Sequence, residues 1–156
     1  MNLSYEPLLH YYFYTSVILF YERTVRRSPT GLRITDHDIF MYLKANNIYP
    51  KVFDNKSKIS VPDGFGVSEA SFIHCRKNSK YSILVSVLEH FRNCFAHGSF
   101  TLRQESQGLF VEMTDYSTYD KCFTMFAQMP FSVFWGLINM ITNQVENARR
   151  KQNDNC

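Results

Sequence analysis

The chain has 156 residues, enough for one domain with a hydrophobic core of its own. Its apolar share of 45% and aromatic share of 16% exclude a disordered tail, and a net charge of +3 permits a nucleic-acid partner without the lopsided charge of a dedicated binder. The four cysteines, Cys75, Cys94, Cys122 and Cys156, are widely spaced with no C-x-x-C pair, which excludes a disulfide framework or a cysteine zinc site and points to a reducing cytoplasm.

In chain order, the first predicted element is a helix from about Ser4 to Arg27, ended by the Ser-Pro-Thr-Gly run at 28–31. Its apolar stretch, residues 8–21, is shorter than the ~20 residues of a membrane span and lacks a basic lead-in, so it reads as a core helix with no membrane role. Asp36 is placed to open a second helix that Asn46 and Asn47 close. In Asp36-His37-Asp38, adjacent helical residues do not face one point, so a helix start outweighs a metal site. Residues 48–67, rich in proline, glycine and polar side chains, read as a long connection, open to a role as lid or plain connector.

From about Ser79 to His97 the apolar residues Leu84, Val87, Leu88, Phe91, Cys94 and Phe95 recur at steps of three and four, the stripe of an amphipathic helix. Gly98 follows as a left-handed stop. Residues 99–115 then read as strand, turn and strand, a β-hairpin. Residues 116–129 fit neither period. Pro130 precedes a last helix with the stripe Phe131, Phe134, Trp135, Ile138, Ile141 and Val145, and the polar end from 147 reads as a frayed tail. The expected fold is therefore all-α: a small helical bundle over residues 1–146, with one hairpin inserted before the last helix.

The polar face of the third helix carries the candidate chemistry. With Leu84 at zero, Arg92 falls at about 80°, Glu89 at about 140°, Asn93 at about 180° and His97 at about 220°. Arginine presents a planar fork matched to phosphate oxygens. Histidine moves a proton to or from a hydroxyl near neutral pH, and asparagine offers both donor and acceptor. The bland alternative is equally physical: cationic side chains are ordinary at helix ends, and Glu89 three residues before Arg92 is an ordinary solvated partner. Arg23, Arg26 and Arg27, joined by Arg76, Lys77 and Lys80, form either an RNA-backbone footprint or a solvated helix end. No P-loop, H-E-x-x-H, G-x-S-x-G or dinucleotide pattern is present. His10 and His90 read as satisfied residues at the helix surface.

The run Arg92-Asn93-Cys94-Phe95-Ala96-His97-Gly98 resembles the R-x(4–6)-H signature of the HEPN superfamily (higher eukaryotes and prokaryotes nucleotide-binding), whose ribonuclease members often carry a polar residue after the arginine. The resemblance implies a metal-independent, cofactor-free endoribonuclease acting as a homodimer, with motif helices of two protomers facing across a cleft. It implies that Arg92 steadies the phosphate, His97 assists proton transfer and Asn93 orients or polarises. Glu89, outside that signature, either tunes His97 or joins the site from its place on the arc, or is a solvated partner of Arg92. RNA is the implied substrate, with an antitoxin or other protein as a further partner in a toxin–antitoxin or phage-defence setting. A non-catalytic module that binds RNA, a nucleotide or a protein is the alternative within the same family.

Overall fold

A computed structural model describes residues 6–27 and 36–154. Four helices and a five-stranded mixed sheet build it, so the expected all-α bundle is wrong. The first helix (α1, Glu6–Phe13) runs on through two π-helical segments, Tyr14–Leu19 and Tyr21–Val25. Then come α2 (Asp36–Ala45), β1 (Lys51–Phe53), β2 (Phe72–Arg76), α3 (Ile83–Ala96), β3 (Phe100–Glu105), β4 (Gly108–Ser117), β5 (Cys122–Pro130) and α4 (Phe131–Asn153). The expected stop at 28–31 lies outside the described residues. No helix among the described residues is long and apolar enough to cross a membrane.

The strands lie in the order β1-β2-β5-β4-β3. Only β1 and β2 pair in parallel; the other neighbours are antiparallel. The expected hairpin is present, as β3 and β4, but it forms one edge of the sheet and is no insertion into a bundle. The ambiguous residues 116–129 supply the end of β4 and nearly all of β5, the central strand.

Central position explains why β5 shows no alternation. Met125, Ala127 and Met129 join the core beneath the helices, while Phe126 and Gln128 are buried on the opposite face. A strand covered on both sides loses the apolar–polar rhythm that marks a half-exposed one. What covers the second face is the connection between β1 and β2, residues 54–71. Phe65 packs its ring edge-on against Phe126, and Gln128, 0% exposed, accepts from Gly66 N–H at 2.8 Å and donates to the carbonyls of Ser68 and Ala70 at 2.8 and 2.7 Å. Arg103 adds a bond to the Ser68 carbonyl at 2.7 Å while paired with Glu105 and Glu112. The polar connection is thus strapped to the sheet.

The helices cover the other face. Phe13 stacks on Phe95 at 4.1 Å and meets Phe134 edge-on, joining the first helix, α3 and α4 in one aromatic cluster. Buried Phe13, Val17, Tyr21 and Val25 recur every four residues. In a 3.6-residue turn each such step overshoots by about 40°. Wider turns, such as the Arg26 N–H to Tyr21 carbonyl bond at 2.9 Å, keep these four residues against the core. In α4 the buried stripe is Phe134, Leu137, Ile138, Ile141 and Val145; Trp135 is instead 40% exposed and stacks on Tyr12. A methyl on Gly136 would strike the Tyr42 hydroxyl, which donates to the Val133 carbonyl at 2.9 Å, so this glycine lets α2 approach α4. The helix α4 continues to Asn153, through much of the expected tail.

Candidate functional site

The helix that carries the motif is defined at both ends. Ser82 caps it, accepting from Val85 N–H at 3.2 Å. At the other end Gly98 takes φ +67°, and Ser99 N–H reaches back to the Cys94 carbonyl at 2.8 Å, a Schellman closure. His97 is the last residue before that reversal. Leu84, Val87, Leu88, Phe91, Cys94 and Phe95 are all buried, as the spacing predicts, and this fixes where the polar residues point.

Arg92 turns toward the first helix. Its Nε and Nη2 both reach Glu22 Oε1, at 2.8 and 2.7 Å, and its Nη1 donates to Asn93 Oδ1 at 3.0 Å. Glu22 uses its other oxygen to accept from Arg26 at 2.9 Å, so one carboxylate bridges two arginines. The two arginine contacts hold that carboxylate below its ordinary range: the Arg26 hydrogen bond acts most strongly, partial burial opposes it, and Arg92 adds to the lowering. A guanidinium carries five N–H groups, and three of those of Arg92 are engaged here, leaving its remaining tips for an anion.

Asn93 links this pair to the sheet. Its Nδ2 donates to Asp115 Oδ2 at 3.2 Å, and the same oxygen meets His90 Nδ1 at 2.7 Å. His90 Nε2 lies 2.8 Å from the Arg76 backbone carbonyl. Asp115 stands where the β4–β5 register shifts, and Thr124, the extra residue on β5, donates to the Asp115 carbonyl at 3.2 Å. Such bulges re-aim side chains. Burial raises the Asp115 pKa, but the hydrogen bond and charge of His90, with Asn93 and Thr124, outweigh it and hold the carboxyl below the usual range. The neighbouring Cys94 thiol donates to the Thr114 carbonyl and is pushed well above its ordinary value by burial and the Asp115 charge.

His97 differs in every respect. It is exposed, and among the described residues its ring has no hydrogen-bond or ion-pair partner. Glu89 does not pair with Arg92; it accepts a long 3.5 Å bond from Asn78. Arg23, Arg26, Arg27, Lys77 and Lys80 are exposed. Arg76 is turned inward, 8% exposed, bound to Asp120 at 2.9 Å and to the Asn55 carbonyl, so it adds nothing to a surface footprint. Among the described residues no group of three His, Cys, Asp or Glu is placed to hold a metal.

No family model, curated protein or solved structure matches the chain. The site is therefore argued from its own geometry. Arg92 and Asn93 are brought together; His97 stands apart at the helix tip. Three participants are not placed in the site by the sequence: Glu22 and Asp115, which it passes over, and His90, which it reads as a satisfied surface or boundary residue. Asp115 had a legible signal, because Val111, Met113 and Asp115 share one face of a strand, and an acidic residue on the core-facing register needs a buried partner. The contact from Glu22 to Arg92 spans 70 positions and left no local trace.

Proposed function

We propose that this protein is an endoribonuclease that needs no metal ion and cleaves RNA by attack of a ribose 2′-hydroxyl on the adjacent phosphorus. The observation that carries the reading is the division of labour on α3: an arginine held rigid with N–H groups to spare, and one turn further an exposed histidine with its ring uncommitted. Arg92 binds the non-bridging phosphate oxygens and stabilises the charge that accumulates on them. The 2′-oxygen forms a bond to phosphorus as the bond to the 5′-oxygen breaks. His97 takes the proton from the 2′-hydroxyl, and the departing 5′-oxygen takes a proton from water. The products are a 2′,3′-cyclic phosphate and a 5′-hydroxyl.

Arg92 and His97 lie about 140° apart around the helix by its geometry. That separation favours a site completed by a second copy of the chain, and a homodimer is part of the proposal. So is the toxin–antitoxin or phage-defence setting that the motif resemblance implies. A second reading, a module that binds RNA or a protein without cleaving, is favoured by one observation: Glu22 already occupies one edge of the Arg92 fork.

The test is cleavage of total RNA and tRNA in excess EDTA by wild type, Arg92→Ala and His97→Ala, with product ends identified. The expected result is cyclic-phosphate ends from wild type and a loss of about 10²-fold or more in both variants, each still folded. Undiminished cleavage by His97→Ala would remove His97 from the chemistry. RNA binding without cleavage by wild type would decide for the second reading.

A further inference from the structure

Polar groups buried between α3 and the sheet form a single chain whose proton positions follow from its ends. The Arg76 carbonyl only accepts, so His90 Nε2, 2.8 Å away, carries a hydrogen. At the other nitrogen, Nδ1 faces Asp115 Oδ2 at 2.7 Å. That oxygen also accepts from the Asn93 amide, so it faces two nitrogen donors at once, as a carboxylate oxygen does. Nδ1 therefore donates too, and a ring that donates from both nitrogens is an imidazolium. The Asn93 amide is determined next. With its NH2 on the carboxylate, its oxygen faces Arg92 Nη1 at 3.0 Å. Flipped, it would set NH2 against guanidinium and oxygen against carboxylate, two repulsive contacts in place of two attractive ones.

We propose that Asp115 and His90 are positioning residues of the candidate site, which orient the Asn93 amide and through it the Arg92 guanidinium. This rests on the reading of Arg92 as the phosphate-binding group. Neither residue touches RNA. The ion pair joins α3 to the sheet, and its direction is transmitted by one amide whose two ends have opposite polarity. A neutral His90 satisfies only one of its two acceptors, so the arrangement needs the charge on Asp115 as well as its shape.

The experiment uses the full chain without RNA at neutral pH and reads two nitrogen-15 signatures. In wild type both His90 ring nitrogens are protonated, and the Arg92 Nη resonances are resolved, because Asn93 and Glu22 stop rotation about the Nε–Cζ bond. In Asp115→Asn the ring falls to one proton and the Arg92 Nη resonances merge. Asn93→Ala, which uncovers no fully buried charge and tests the link should Asp115→Asn fail to fold, merges them too while His90 keeps both protons. A wild-type ring with one proton, or Arg92 resonances unchanged in Asn93→Ala, overturns the proposal. Where wild type cleaves RNA, Asn93→Ala lowers kcat about 10-fold or more with KM little changed, as loss of orientation does. If wild type cleaves no RNA, the ribonuclease reading fails while the spectra still decide the positioning link.

Discussion

Two neighbouring turns of α3 are built on opposite plans. From Glu89 to Asn93 the polar side chains are tied down: His90 and Asn93 to Asp115 on β4, Arg92 to Glu22 on the first helix, and Glu89 to Asn78. From Ala96 to Gly98 every residue is exposed and the His97 ring is untethered. The comparison teaches where rigidity is needed. Arg92, proposed to bind an anion, is given one direction by its partners, as binding and orientation require, whereas nothing but the helix stop aims His97. The first turn is held by long-range contacts, the second only by the backbone of a helix stop.

Mutations should separate the two plans. The largest effect belongs to Asp115→Ala, which strips the counter-charge from a buried ion pair. A loss of about 3 kcal/mol or more is expected in urea denaturation. The same variant should change the acid response. The folded Asp115 carboxyl titrates below its unfolded value, so its stabilisation is fully present above about pH 4 and is lost as the pH falls through the folded value. Wild-type and variant stabilities therefore converge in acid; a constant difference would show that the carboxylate charge is not what stabilises. Gly98→Ala comes next. Space is open around the site, so the cost is that of φ +67° alone, about 1 kcal/mol, read from the same denaturation curves. Smallest is His97→Ala, expected within about 0.5 kcal/mol of wild type in stability. A large destabilisation there would erase the contrast, since His97 would then be another tethered residue.

The legible parts of this molecule are those whose partners are near in sequence. The third helix shows its stripe, its stop and its polar arc because all three are local periodicities. The hairpin shows because alternating or strand-favouring residues flank a polar, glycine-containing turn. The remaining strands did not show, for different reasons. β5 is buried on both faces, and β1 is three residues long, too short for any pattern to repeat. β2 buries Ile73 and Cys75 but interleaves His74 and Arg76, and the reason Arg76 belongs inside is Asp120, 44 positions away. With β1, β2 and β5 unseen, a hairpin among helices was the simplest sum, and it gave the wrong class. Within the site, Arg92, Asn93 and His97 were singled out by their resemblance to the R-x(4–6)-H signature, since the bare spacing fits an ordinary helix end equally well, while the groups that hold Arg92 and Asn93 lie on other elements.

The widened turns of the first helix set how the chain tolerates a change in length. A helix with π turns holds more residues per turn than an α-helix. Deleting one residue between Phe13 and Glu22 would let the turns tighten, yet it would swing everything upstream by about 100° relative to Glu22. Phe13 meets Phe95 and Glu22 meets Arg92 from opposite ends of this stretch. The number of residues between them thus acts as a ruler, matching the aromatic core at one end to the arginine at the other.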